Sequence, residues 1–231
     1  MKKNDESPKI TSIEIEDLIS PAVTNFPSPI AKQKNTLSDQ EKIEIITDRF
    51  RDILETLGLD IHDHSIAKTP QRIAKMYVQE VFSGLDANNF PSISFFEGEF
   101  NQQSKSNMVL VKVGFTSFCE HHFVPMNGIA HIAYLPDKQL IGLSKIPRIV
   151  RFFAKRPQLQ ERLSAQIADC LALLLANEDV AVSIAAYHYC VLARGIEDEQ
   201  SHTITNVLRG QFNTSEALRR EFFEGINRAA P

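Results

Sequence analysis

Apolar residues change their spacing near position 92, and the change divides the chain in two. Ile43, Ile46, Phe50, Ile53, Leu54 and Leu57 recur at the three-and-four spacing of one helical face. Ser38 followed by Glu41 opens that run as a capping box, and Gly58 closes it. A second helix is predicted with Thr69 as N-cap, Pro70 in its first turn, a stripe of Ile73, Met76 and Val81, and Gly84 as its stop. Together they make an N-terminal helical arm over residues 36–91. Residues 1–35 mix Lys, Asn, Ser and Pro with scattered Ile and hold no period, the pattern of a mobile tail.

From Ile93 the period shortens. Segments 93–100, 107–116 and 127–135 carry strand-like composition or alternation. Two helices follow. Ser144 is placed to cap the first, which carries Ile149, Phe152 and Phe153, and Pro157 to start the second, with Leu163, Ile167, Leu171 and Leu174 in line. Strands over 179–192 and 203–212 come next, joined by an acidic turn, and Ser215 caps a last helix with Leu218 and Phe222. Strands segregated from helices predict an α+β fold with an antiparallel sheet, so residues 92–231 read as one domain.

Composition narrows the class without naming a function. A hydrophobic share of 43% with 23% charged residues is that of an ordinary globular protein. The longest apolar run, Leu171 to Ala176, is far short of the roughly 20 residues that span a bilayer, and Met1 to Ser7 lacks a signal-peptide core, so a cytoplasmic protein with no membrane partner is expected. Three cysteines are an odd number thinly spread, which favours reduced thiols over a disulfide framework. Cys170, among Ile167, Ala168, Leu171 and Leu174, reads as core. A net charge of −4 gives no affinity for polyanions, but Lys145, Arg148, Arg151, Lys155 and Arg156 crowd one segment and could form a local cationic patch or a solvated helix face.

The chemistry concentrates in two short runs. Cys119 and His122, three apart in Cys119-Glu120-His121-His122, can share one zinc while His121 stands beside it. In Tyr187-His188-Tyr189-Cys190, at the end of an alternating strand, His188 and Cys190 should project from one face. Cys119, His122 and Cys190 would make a Cys2His set whose fourth tetrahedral position is open to water, the catalytic pattern, leaving His121 and His188 as acid/base groups. The alternative for each pair taken alone is a buried thiol, a hydrogen-bonded core histidine and a solvated turn. His62, His64, His131 and His202 lie outside both runs and are not expected on a metal.

The surrounding motifs decide between these readings. CEHHFVPMNG, then IGLSKIPRIVRFFAKRPQLQERL, then AVSIAAYHYCVLARG, with TPQRIAKMYVQEVFSGLD upstream, closely resemble the GTP cyclohydrolase I family, and the resemblance covers most of the chain after about residue 40. It implies the tunnelling fold, an antiparallel sheet with helices packed on one face, whose sheets join across subunits into a barrel, with residues 92–231 as a zinc-dependent catalytic domain. It implies GTP as substrate, formate and dihydroneopterin triphosphate as products, and a toroidal homodecamer. By the same resemblance His121 and His188 move protons and Glu161, with Gln160 beside it, reads the guanine. Ser144, Lys145, Arg148, Arg194 and Lys75 hold the triphosphate. The alternatives are a related tunnelling-fold enzyme acting on a pterin or deazaguanine, and a structural zinc module on nucleic acid. The latter would want a fourth protein ligand and an extended basic surface, so no nucleic-acid partner is expected.

Overall fold

The computed structural model describes residues 29–31, 35–97 and 107–228. The expected tail, apart from residues 29–31 and 35, and strand positions 98–100 lie outside these. Helix α1 (Asp39–Thr56) begins as expected, with the Ser38 hydroxyl accepting from the Glu41 amide and the Glu41 carboxylate accepting from the Ser38 amide at 2.7 Å. Its apolar stripe is only partly used in this chain: Ile43 is buried, whereas Ile53 and Leu57 are 47% and 70% exposed. Helix α2 (Thr69–Lys75) starts one residue earlier than the sequence suggests. Thr69 is already helical, the cap is Lys68 without a side-chain bond, and the helix widens into a π turn over Met76–Val81. Gly84 is not its stop. It lies in a later 3-10 turn where its amide donates to the Lys155 carbonyl, and a Cβ there would run into the Phe152 carbonyl oxygen.

The remaining elements are β1 (Phe95–Glu97), β2 (Val109–Cys119), β3 (Pro125–Tyr134), β4 (Gln139–Ile141), α3 (Lys145–Ala154), β5 (Pro157–Gln158), α4 (Gln160–Leu175), β6 (Val180–His188), α5 (Tyr189–Leu192), β7 (Thr203–Leu208), α6 (Gly210–Thr214) and α7 (Glu216–Arg228). A five-stranded sheet runs β5-β2-β3-β6-β7, antiparallel except where the short β5 joins β2 in parallel, and β1 pairs with β4 separately. The alternation explains the packing. Met126, Ala130, Ile132 and Tyr134 of β3 and Val182, Ile184 and Ala186 of β6 face α3 and α4, forming the main core with Ile149, Phe153, Leu163, Ile167 and Leu171. On the opposite face Ala133 and Ala181 pack under Phe212, Leu218 and Phe222 of α6 and α7. No helix among the described residues is long and apolar enough to cross a membrane.

Four local expectations are corrected. Pro157 does not start a helix: with Gln158 it is drawn into the ladder with Phe118 and Cys119, and α4 begins at Gln160 behind an extended Leu159. Ser144 precedes α3 but makes no side-chain cap bond, its backbone being helical already. The strand expected over 203–212 stops at Leu208, because Gly210, at φ 49°, turns the chain against Asp179, whose carboxylate accepts the Gln211 amide at 2.7 Å. The strand expected over 179–192 ends at His188, and Tyr189–Leu192 form a helical turn, so His188 and Cys190 do not share a strand face.

Candidate metal and acid/base site

Cys119 is the last residue of β2 and is 6% exposed. Beyond it the chain reverses tightly: the Phe123 amide donates to the Cys119 carbonyl at 2.8 Å and the Cys119 amide to the Val124 carbonyl at 2.9 Å. Phe123 takes a left-handed φ of 53°, uncommon for a bulky residue, and its ring lies 5.1 Å from that of Phe82 on the arm. The turn returns His122 towards its neighbour, with Nδ1 3.9 Å from Cys119 Sγ.

Pairing of Met126 with His188 brings the end of β6 beside this turn. The helical turn α5 then completes the cluster. A strand advances about 3.3 Å per residue but a helix about 1.5 Å, so the change of conformation after His188 keeps Cys190 close instead of carrying it past. One ligand atom from each of Cys119, His122 and Cys190 lies within 4.8 Å of the others, and no other such group occurs among the described residues. Tetrahedral zinc at about 2.3 Å from sulfur and about 2.0 Å from nitrogen separates those atoms by about 3.5 Å, so the observed 3.9 Å needs only slight closure and the donor set fits. Burial, then hydrogen bonding to Cys119, holds the Cys190 thiol above its usual range, so a metal must displace protons there and bind less well as pH falls.

His121 stands outside the cluster, its side chain 64% exposed and its ring 6.2 Å from that of His122. His188 is half-buried and held firmly. Its Nε2 lies 2.7 Å from Gln160 Oε1, and the Gln160 amide nitrogen donates to the Ile184 carbonyl at 3.0 Å, the Thr203 carbonyl at 3.0 Å and the Thr205 hydroxyl at 3.2 Å. Those three acceptors orient the amide, so Oε1 must accept from His188 Nε2–H and leave Nδ1 as the free basic nitrogen. Burial lowers the His188 pKa, opposed by the charge of nearby Glu161. Gln160, expected as a substrate contact, has its whole side-chain amide committed inside the protein; Glu161 next to it is exposed.

Two residues missed in the sequence belong here. Arg162 grips Glu120, Nη1 to Oε2 at 2.5 Å and Nη2 to Oε1 at 3.4 Å, with both side chains about 15% exposed. They are 42 positions apart, and the only hint was an unassigned carboxylate inside the Cys119–His122 run.

The residues expected on the triphosphate are not gathered in one place. Arg194 reaches the cluster, its Nη1 2.7 Å from His122 Nε2. Ser144, Lys145 and Arg148 stand at the start of α3. Arg148 lines a groove of about 560 Å3 with Asp39, Ser83, Arg151 and Lys155, which includes none of the three metal candidates. Lys75 ends α2 and is exposed. Cys170 is fully buried, as expected, and burial pushes its thiol up to about 12.

Fold and site together define an α+β protein with a three-donor cluster that could hold a metal beside an oriented histidine. The sequence profile of GTP cyclohydrolase I matches residues 46–227, and the chain belongs to that family. It is 49% identical over 218 residues to the GTP cyclohydrolase 1 of Aeromonas hydrophila subsp. hydrophila, covering 94% of each chain. It is 52% identical over 195 residues to that of Vibrio cholerae serotype O1, covering 84% of this chain and 88% of the relative. Among solved structures, the archaeosine synthase QueF-Like in the apo form aligns with 45% of this chain and 95% of its own at 14% identity and a TM-score of 0.37, too low to carry an argument.

Proposed function

We propose that this chain is a zinc-dependent hydrolase that opens the imidazole ring of GTP, releases formate and forms 7,8-dihydroneopterin triphosphate. The observation that carries the mechanism is the three-donor cluster of Cys119, His122 and Cys190 next to a histidine of fixed tautomer. When bound, zinc would supply Lewis acidity where the purine carbon is hydrated. His188 takes and returns a proton at Nδ1, and His121, exposed beside His122, is the second carrier. Gln160 sets the His188 tautomer. Glu161, in the next position, accepts from guanine N1–H and the 2-amino group. Ser144, Lys145, Arg148, Arg194 and Lys75 hold the triphosphate, guanidinium forks suiting phosphate oxygens.

Arg194 has a further task. A guanidinium only donates, so His122 Nε2 accepts from it and the proton sits on Nδ1, facing Cys119. Zinc held by His122 through Nδ1 would require the proton on Nε2 instead, where His122 can no longer accept from Arg194, and the guanidinium would be left for an anion. Residues 36–91 serve as the arm and 92–231 as the catalytic domain of a cytoplasmic homo-oligomer, a toroidal decamer by family resemblance. The test is direct: mixing purified protein with GTP should release formate and, after oxidation, yield a fluorescent pterin, with about one zinc per chain by elemental analysis. No formate from zinc-loaded protein would overturn the reading.

A further inference from the structure

The first turn of α4 sends three consecutive side chains to three places: Gln160 to His188, Glu161 to solvent near enough for its charge to act on His188, and Arg162 to Glu120. The third connection has no role in the reaction proposed above. Glu120 is the residue between Cys119 and His121, so whatever holds it also holds the acid/base turn. Its backbone is tied to the same stretch of chain, its amide donating to the Gln158 carbonyl at 3.0 Å, and the Ser117 hydroxyl donates to the Ala154 carbonyl at 2.7 Å just upstream. The side chain adds the forked contact from Arg162. Glu120 Oε1, which accepts the longer arm of that fork, also lies 3.9 Å from His121 Nε2.

We propose that Arg162 is a positioning residue for catalysis: through Glu120 it locks the His121 turn to the first turn of α4, so that the proton carriers and the guanine-reading carboxylate keep one fixed spacing. The physical case rests on burial and geometry. The pair is largely shielded from water, where a two-pronged guanidinium–carboxylate contact fixes orientation as well as distance. Arg162 also neutralises a carboxylate that is largely shielded from water, where an unpaired charge would be costly. His121 itself is mostly exposed and makes no shorter polar contact among the described residues, so its neighbour's anchor is what limits its wandering.

The inference rests on the ring-opening reading, and the experiment separates the two. Arg162→Met, Glu120→Gln, the double variant and Arg162→Lys would be compared with wild type, each loaded with zinc. Displacement of a reacting group by about 1 Å can cost about 100-fold, so Arg162→Met should lower kcat roughly 10- to 100-fold with KM for GTP changed less than about threefold and zinc retained. Glu120→Gln should match it, the double variant should be no worse than the poorer single one, and Arg162→Lys should recover part of kcat. Equal losses in kcat and stability without that split, additive losses in the double variant, or a loss confined to KM would overturn the proposal. Amide hydrogen exchange over residues 119–123 supplies a readout independent of substrate. Arg162→Met should speed exchange there at least about tenfold while leaving β3 and β6 unchanged. If wild type released no formate, the ring-opening reading would fall, yet exchange would still decide the clamp: unchanged rates would overturn it.

Discussion

At the metal end of the sheet, side chains find their partners inside this one chain: His188 on Gln160, Glu120 on Arg162, Asn127 on Thr116, Ser164 on Thr205. Along α3 the picture reverses. Arg148, Arg151 and Lys155 are exposed and line one open groove, and Ile45, Ile53, Leu57 and Leu59 leave apolar surface bare on and just beyond α1. The first region is preorganised: its groups already hold fixed orientations before any ligand arrives. The second is unfinished. Exposed cations on flexible stems gain little alone, and bare isoleucines and leucines gain nothing from burial in this chain. The comparison therefore sets side chains fixed by their own chain at the metal end against exposed cations and bare apolar surface along α3 and α1.

The sharpest way to break that division lies within the metal end itself. Cys190→Ala should lose both bound zinc and turnover, since a two-donor remnant holds zinc poorly. His188→Ala should keep zinc and fold while losing turnover by roughly 10² to 10⁴, the range for one general acid/base group. Elemental analysis beside formate release reads both. Zinc loss in His188→Ala would return that histidine to the ligand set.

Glu161 stands at the border of the two regions, exposed yet next to Gln160. Glu161→Gln keeps the volume but sets a donor against the guanine donors, so GTP binding should weaken by roughly one to two decades, with zinc and assembly unchanged. Titration with a non-reacting GTP analogue would show it, and near wild-type affinity would make Glu161 an ordinary helix glutamate. Arg148→Ala should do less: about a three- to tenfold rise in KM for GTP, shrinking as salt is raised because the charge is screened. A change in kcat with KM untouched would put Arg148 in the chemistry and dissolve the comparison.

What the sequence revealed follows the same border. The Cys119 and His122 pair was legible because three-residue spacing within one turn determines proximity locally, and strand alternation placed most of the core. Cys190 does lie beside Cys119 and His122, but by another route than expected: a helical turn, not a strand face, brings it in, because the pairing of β6 with β3 ends at Met126–His188 and frees the chain beyond. Pro157 at β5 and Gly84 against Phe152 were misread as a helix start and a helix stop because tertiary contacts, invisible to local pattern, decide both. Arg162 and Glu120 were missed for a related reason. A single ion pair across 42 residues leaves no periodic trace.

The smallest expected effect concerns a histidine outside the site. His131 lies in β3 between Lys112 of β2 and Ser183 of β6, is 8% exposed, and its Nε2 has no hydrogen-bond partner among the described residues. Burial, and then the Lys112 charge, hold its pKa below the ordinary 6.5. The sign follows from linkage. Unfolded chains take up a proton near pH 6.5 that the folded chain resists, so this contribution to stability is whole above that pH and drains as pH falls through 6.5 towards the folded value. The slope is at most about 1.4 kcal/mol per pH unit for one group. His188, also lowered by burial, acts with the same sign, so His131→Leu should flatten the acid side of the stability profile in part and leave a residual slope. Urea midpoints of zinc-loaded wild type and variant at pH 7.5, 6.5 and 5.5, compared at equal m, measure the difference. Parallel profiles would mean that His131 takes its proton freely in the folded protein. The sheet face that bears it would then be wetter than its burial in one chain implies.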